Sequence, residues 1–191
     1  GDLFSYLVIF FDKPFEIGDF VILNDGNLGT VEYVGIKTTR IRSLWGEQLI
    51  ISNTQMTSNT IKNYKRMERR RVVFKIAVVY RTPYAKLQQI PEMLKAIVGS
   101  RERVMFDRAH LQEYGTYSIN FEIVYYVLSP DYNVYMDIQQ DILFRIHEEF
   151  SKNGIEFAIP SQTLWVAGTP KELAQRNGEN KAAEEKAATN R

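Results

Sequence analysis

Few side chains in this sequence have the types and spacing that chemistry requires. The two histidines, His110 and His147, stand far apart, whereas the zinc-protease pattern needs a pair one helical turn apart. The chain has no cysteine, which excludes disulfides, zinc–thiolate sites and thiol nucleophiles. Asp25 and Asp131 are more simply explained as a turn residue and a helix-start residue. We therefore expect no metal ion and no cofactor.

A phosphate site is the other chemistry that these residues allow. Acylphosphatases, enzymes of the ferredoxin-like fold, set an arginine and an asparagine around a phosphate, and Arg81 and Asn120 could imitate that pair. A glycine-rich phosphate cradle is missing, because the glycines of residues 26–29 have the wrong spacing and lead into a strand. We predict that the chain is not an enzyme. An acylphosphatase-like activity that Arg81→Ala abolishes stays open as an alternative.

A basic run, residues 62–71, invites a nucleic-acid interpretation. It reads KNYKRMERRR, with six cations in ten residues, and such a run beside a small barrel occurs in RNA-binding proteins. No RNP-like aromatic signature accompanies it, Glu68 interrupts the charge, and the net charge is only +1. A solvated connector is the favoured interpretation, and no nucleic-acid partner is expected. The alternative is a soluble RNA-binding protein with an Sm- or OB-like barrel and a ferredoxin-like domain, whose affinity would fall steeply with salt.

The composition suits one or two globular domains with buried cores, since 191 residues carry 45% apolar side chains. No apolar run approaches the roughly 20 residues that a spanning helix needs, so this polypeptide by itself is expected to cross no membrane. The first residue is glycine rather than methionine, which suggests a fragment or a processed product. Residues 2–11, DLFSYLVIFF, are apolar but short, and by themselves indicate a buried strand or helix packed on a barrel.

Short strand patterns joined by turns fill the region up to residue 64. Residues 24–27, NDGN, tolerate positive φ and are a strong hairpin signal. Val31 and Val34 are both apolar but break strict alternation, so the second strand needs a bulge, which Gly29 or Gly35 could host. We predict a small Sm- or OB-like β-barrel. Its strands are expected within residues 20–23, 28–36, 37–43, 48–51 and 60–64.

Strand and helix patterns alternate in the second half of the chain. Thr82-Pro83 and Ser129-Pro130 are cap-and-proline helix starts, and Pro91 predicts a kink or break in the first of these helices. The order strand, helix, strand, strand, helix, strand predicts a ferredoxin-like α+β domain. Its elements are expected at residues 70–80, 82–99, 108–114, 117–128, 129–154 and 155–159.

An ordered series of segments in residues 12–64 carries a resemblance to a known family. KPFEIGD is followed by a short hairpin, by GTVEYVGIKTTRIR, by a glycine turn and an apolar strand, and then by SNTQMTSNTIKNY. This series resembles the soluble region of the small-conductance mechanosensitive channel (MscS) family, and the likeness extends to about Val166. No single piece is a strong motif, so it is the order of the pieces that is specific.

The resemblance implies a division of the chain into five parts. Residues 1–14 would be the end of a pore-lining helix and its junction, and residues 15–67 the Sm-like β domain. Residues 68–160 would form the ferredoxin-like α+β domain. Residues 161–167 would be a short C-terminal strand that forms a parallel barrel with its copies, and residues 168–191 a disordered tail.

The resemblance also implies a function. The chain would be the cytoplasmic cage of a tension-gated membrane channel that releases ions and small solutes on hypo-osmotic shock. The channel would be a homoheptamer in the cell membrane. Helices upstream of this chain would join it to the lipid bilayer, and this chain would lie on the cytoplasmic side.

Three groups of residues are candidate sites under the resemblance. In the junction, Pro14 and Gly18 would set the backbone, Phe15 and Ile17 would anchor it on the barrel, and Lys13 would face lipid headgroups. The complete gating junction is Lys13, Pro14, Phe15, Ile17, Gly18 and Asp19. The pore-helix end is Leu3, Phe4, Leu7, Val8 and Phe11. The C-terminal barrel strand is Gln162, Thr163, Leu164, Trp165 and Val166.

Overall fold

The computed structural model describes residues 1–160, in which two antiparallel sheets follow each other along the chain. The predicted C-terminal barrel strand and the predicted tail lie outside the described residues. In chain order the elements are α1 (Asp2–Asp12), β1 (Phe20–Leu23), β2 (Leu28–Val34), β3 (Thr38–Arg42), β4 (Gln48–Ser52), α2 (Asn53–Ser58), β5 (Ile61–Asn63), β6 (Arg70–Val78), α3 (Tyr84–Gly99), β7 (Val104–Tyr114), β8 (Ile119–Val127) and α4 (Tyr132–Lys152).

The first sheet has the strand order β4-β3-β2-β1-β5, with every neighbouring pair antiparallel. Within residues 1–160 no pairing joins β4 to β5, so the five strands expected for the small barrel are present but form an open sheet rather than a closed barrel. The chain between these two strands forms the short helix α2, and β5 itself has only three residues. An edge this short does not supply the ladder that closure needs.

The β1–β2 hairpin has the turn that its sequence predicts. The Asp25 carboxylate accepts a hydrogen bond from the Asn27 backbone at 3.0 Å, and Gly26 has a φ of 86°. The irregularity in β2 was also expected, but the register against β3 shifts between Val31 and Tyr33 rather than at a glycine. Gly29 has a different role, since its missing Cβ leaves room for the backbone of β3.

A hydrophobic core lies under the first sheet and includes one residue from α1. Alternation in β1 and β3 directs every second side chain inward, and Ile9 of α1 joins them at 3% exposure. Helix and sheet therefore share one core. Its buried members are Ile9, Phe15, Val21, Leu23, Val31, Ile41, Ile51 and Met56.

The second sheet has the order β6-β8-β7, and α3 and α4 pack their apolar stripes on one of its faces. Residues 155–159 were predicted as a full strand but form only a bridge between Phe157 and Val78. With that bridge beside β6, the order of elements confirms the ferredoxin-like α+β prediction. The central strand β8 is the most deeply buried one, because it has a neighbour on each side and helices over one face.

The helix boundaries correct three details of the sequence analysis. Thr82 does not cap α3, since its hydroxyl donates to the Val79 carbonyl at 2.7 Å and Pro83 takes the cap position. Pro91 lies inside α3, which continues through it to Gly99. Asp131 caps α4 by accepting a hydrogen bond from the Asn133 backbone at 2.8 Å, so the helix starts after this aspartate rather than at Ser129-Pro130.

Candidate functional site

The candidate pore-helix residues form the exposed face of α1. Phe4 and Phe11 are 71% and 74% exposed, while Ser5 and Ile9, one turn apart, are buried. This difference follows the helical period, because residues four apart lie on one face. Leu3 and Leu7 lie on the exposed side, and Val8 is half-buried.

The buried face of α1 is joined to α2 by hydroxyl and carboxylate groups. The Asp2 carboxylate accepts hydrogen bonds from the Thr54 backbone at 3.0 Å and from its hydroxyl at 2.7 Å. One turn further, the Thr57 hydroxyl donates to the Ser5 hydroxyl at 3.1 Å. These contacts hold the N-terminal half of α1 against the element that follows β4.

The end of α1 is defined by Lys13, which adopts a left-handed conformation with φ 46° and donates its backbone N–H to the Ile9 carbonyl at 3.0 Å. Pro14 then prevents continuation of the helix. The Lys13 carbonyl accepts a hydrogen bond from the Arg66 guanidinium at 2.6 Å. The Lys13 ammonium lies 3.1 Å from the Glu16 carboxylate, and the Lys13 side chain is 60% exposed. The expected contact with lipid headgroups stays a prediction.

Phe15 and Ile17, the two expected anchors of the junction, differ sharply in burial. Phe15 is 1% exposed and belongs to the core of the first sheet. Ile17 is 60% exposed, so the expectation that it anchors the junction on the sheet is wrong. Gly18 follows with a φ of 90°, and its N–H donates to the Val31 carbonyl at 2.7 Å. A residue with a Cβ would be strained in this conformation.

Asp19 is the point at which the junction is fixed to the sheet. Its side chain is 4% exposed and accepts hydrogen bonds from the Asn63 amide at 2.7 Å and from the Glu16 backbone at 3.1 Å. The Lys65 ammonium lies 3.3 Å away. Burial raises the pKa of Asp19, but the hydrogen bonds from Asn63 and Glu16 and the charge of Lys65 together lower it more, so the pKa is below its ordinary value of 3.8.

We predict that Asp19→Asn lowers the free energy of unfolding by about 1–3 kcal/mol near neutral pH, because donors arranged around a carboxylate lose their charged acceptor. A lowered pKa contributes stability above the ordinary value of 3.8 and loses it as the pH falls through the folded-state pKa. Urea unfolding should therefore show a gap between the two proteins that is constant above about pH 5 and closes below about pH 4. The control is Asp25→Asn, a variant of an exposed turn residue. If the difference in the free energy of unfolding between the wild type and Asp19→Asn did not change with pH, the role of Asp19 would be contradicted.

The basic run of residues 62–71 is not a simple solvated connector. Lys65 pairs with Asp19, and Arg66 binds the Lys13 carbonyl. The Arg69 guanidinium lies 4.9 Å from the centre of the Tyr126 ring. Three of the six cations of the run therefore have partners within the chain. Sequence analysis missed Asn63, Lys65 and Arg66 as junction residues, although Asn63 lies in the segment that carried the resemblance and Lys65 and Arg66 follow directly after it.

The residues considered for catalysis have structural partners. Arg81 pairs with Glu156, and the Asn120 amide donates to Glu113 at 3.3 Å. A carboxylate therefore occupies each candidate phosphate ligand. His110 is exposed on β7, and the His147 ring stacks on Phe157 at 5.8 Å between ring centres. The predicted strand residues Gln162, Thr163, Leu164, Trp165 and Val166 lie outside the described residues.

Two family models match most of the chain. Residues 1–66 match the β-domain of mechanosensitive ion channels, and residues 72–157 match the C-terminal domain of the mechanosensitive ion channel MscS. The boundary between these matches lies inside the basic run. Among residues 1–160 no helix combines the length and the apolar content that crossing a membrane requires.

Two curated relatives of this chain are named as mechanosensitive channels. The small-conductance mechanosensitive channel MscMJ of Methanocaldococcus jannaschii is 35% identical over 84% of this chain and 46% of its own length. The low conductance mechanosensitive channel YnaI of Escherichia coli is 28% identical over 87% of this chain and 49% of its own length. The chain thus spans about half the length of the curated relatives it matches.

Solved structures share the fold at lower identity. MSL1 of Arabidopsis thaliana superposes with a TM-score of 0.75 at 20% identity, covering 83% of this chain and 58% of that chain. MscS of Helicobacter pylori in its closed state gives a TM-score of 0.71 at 19% identity, covering 88% of this chain and 65% of that chain. The family models, the curated relatives and the solved structures all point to the same family. This chain belongs to the MscS family of mechanosensitive ion channels and carries the β-domain and the C-terminal domain of that family.

Proposed function

We propose that this chain is the cytoplasmic cage of a tension-gated channel that releases ions and small solutes on hypo-osmotic shock, and that α1 is the end of its pore-lining helix. The observation that carries the proposal is the two-sided character of α1. One face is docked on α2 and the first core, while the other exposes Leu3, Phe4, Leu7 and Phe11. An exposed apolar face of this kind suits a helix that continues a membrane segment.

The proposed assembly is a homoheptamer in the cell membrane, with upstream helices contacting the lipid. Mechanosensitive relatives of about twice this length support the presence of such helices. A closed ring uses the same heterologous contact at every subunit boundary. The C-terminal strand, residues 161–167, is proposed to form a barrel with its copies below the cage, and the division of the chain into five parts is retained as part of this proposal.

In this proposal the junction, residues 13–19, transmits movement of α1 to the first sheet, and we call this segment the lever. Left-handed backbone at Lys13 and Gly18 brackets it, and between them Phe15 is held in the core. At the start of the junction, the Arg66 guanidinium donates to the Lys13 carbonyl. At its end, the Asp19 carboxylate pairs with the Lys65 ammonium. A displacement of α1 is therefore passed to the first sheet through a short segment attached at three places, rather than lost in a flexible loop. Tension then shifts an equilibrium between two arrangements of this segment.

The test is patch-clamp recording of the gene's full-length product in liposomes while suction is stepped. We expect openings that increase with tension. Gly18→Ala should shift the tension threshold, because the strain of a Cβ at φ 90° falls on the lever. Gly26→Ala is a matched control, since Gly26 has a φ of 86° and open space around its Cβ position but lies in the β1–β2 turn.

Silence up to membrane rupture would contradict the channel proposal. Equal thresholds for the wild type, Gly18→Ala and Gly26→Ala would leave the channel standing but contradict the lever. A shift in both glycine variants would show a general response to backbone strain, and would also contradict a specific role for residues 13–19.

A further inference from the structure

Three tyrosine rings surround the guanidinium of Arg70, at the place where the chain passes from the first sheet to the second. The Arg70 Cζ lies 5.8 Å from the ring centre of Tyr64, 5.5 Å from that of Tyr132 and 5.3 Å from that of Tyr135. Each distance is within the range in which a cation is attracted to the face of an aromatic ring. One cation therefore contacts three rings at once.

The three rings come from two different parts of the fold. Tyr64 follows β5, and its N–H donates to the Phe20 carbonyl at 2.9 Å, so its backbone belongs to the edge of the first sheet. Its ring also meets the Phe20 ring edge-on, with 6.1 Å between centres. Tyr132 and Tyr135 lie in the first turn of α4, with their rings 5.5 Å apart. Arg70 itself is the first residue of β6, so its side chain bridges the first sheet and the second domain.

Contacts with the three tyrosine rings stabilise the charged guanidinium of Arg70. Among residues 1–160 no carboxylate forms a salt bridge with Arg70, and its Nε is shielded from solvent without a hydrogen-bond partner. A shielded N–H of a charged group is costly to leave unpaired, and electron-rich ring faces offset part of that cost. Two other cations of the basic run, Lys65 and Arg66, are held by oxygen atoms instead.

We propose that Arg70 is a positioning residue that sets the orientation of the two sheets relative to each other, through its contacts with Tyr64, Tyr132 and Tyr135. The covalent connection between β5 and β6, residues 64–69, contains no helix or strand of its own and would by itself allow many orientations. This inference does not depend on the chain's being part of a channel.

The test measures the orientation directly with spin labels on the whole 191-residue chain. The chain has no native cysteine, so labels placed by Asn24→Cys in the β1–β2 turn and by Gln140→Cys on α4 are unique. Both positions are exposed. Labelled chains are diluted into unlabelled chains, so that only the distance within one chain is measured. We expect one narrow distribution in the wild-type background.

Arg70→Met keeps an apolar stem but removes the cation, and should at least double the width of the distance distribution. Arg71→Met is the matched control, because Arg71 is an exposed cation of the same run on the opposite face of β6, and it should leave the width unchanged. On the other side of the contact, Tyr64→Phe should keep the narrow distribution and Tyr64→Leu should broaden it. Hydrogen exchange of the β6 and β8 amides shows whether each variant keeps its second sheet.

Broadening by Arg70→Met and Tyr64→Leu, with native exchange in both sheets, would support the proposal. Equal widths for Arg70→Met and Arg71→Met would overturn it. If Arg70→Met lost its protected amides, Tyr64→Leu would decide: a narrow distribution in that variant would also overturn the proposal, because the ring faces would then not be what holds the two parts.

Discussion

Gly29→Ala is expected to unfold the first sheet. A Cβ at this position would lie 2.2 Å from the Arg42 carbonyl oxygen, 2.7 Å from the Arg42 carbonyl carbon and 2.8 Å from Cγ2 of Ile41. Two of these atoms belong to the backbone of β3, which is paired with β2 through Thr30 and Arg42. The clash can be relieved only by separating the strands. The expected loss is roughly 4–5 kcal/mol or more, which is nearly the whole stability of a domain at the low end of the usual range of about 5–15 kcal/mol.

Urea unfolding followed by hydrogen exchange of the β2 and β3 amides measures this effect. Gly46→Ala is the control, because Gly46 has a φ of 96° with nothing within 4 Å of its Cβ position, and it should lose only about 1–2 kcal/mol from backbone strain. The second sheet has its own core and should keep its slow exchange in Gly29→Ala. A Gly29→Ala protein as stable as Gly46→Ala would show that the two strands do not approach as closely as described.

Phe15→Ala is the second large effect, with an expected loss of about 3–5 kcal/mol in the free energy of unfolding. Phe15 is one of the largest fully buried side chains and lies in the core that Ile9 of α1 and Met56 of α2 share. Its removal leaves a cavity between the helix and the sheet that rigid β strands cannot fill. The measurement is equilibrium unfolding in urea, with Ile17→Ala as the control.

Ile17 is two residues away in the same segment but 60% exposed, so Ile17→Ala should change stability by no more than about 0.5 kcal/mol. Similar losses in the two variants would contradict the assignment of Phe15 as the anchor. Hydrogen exchange adds a local readout, since the Lys13 N–H, bonded to the Ile9 carbonyl, should exchange faster in Phe15→Ala while the β8 amides do not change.

These two variants affect different links of the proposed lever. Gly29→Ala removes the sheet against which the junction rests, since the neighbouring Val31 carbonyl accepts the Gly18 N–H. Phe15→Ala leaves that sheet in place and loosens the segment between α1 and Asp19. In a channel, the first variant would fail to assemble a competent protein, whereas the second would assemble and need a different tension to open.

Local patterns in the sequence predicted most of the elements and their order. Strand patterns located β6 and β8, the NDGN turn located the first hairpin, and a helix pattern located α4. The inward faces were also predictable, because side-chain direction within an element depends only on the backbone period. The ferredoxin-like order followed from these assignments.

Only the tertiary structure decided how these elements meet. It opened the expected barrel into a sheet, exposed Ile17, and made Asp19 a buried acceptor for Asn63, 44 positions away in the chain. It also placed the basic run on the junction, with Arg66 reaching Lys13 across 53 positions. The physical reason is that a local pattern encodes the angle between neighbouring residues, whereas these contacts depend on where two distant segments come to rest, which the packing of the whole core determines.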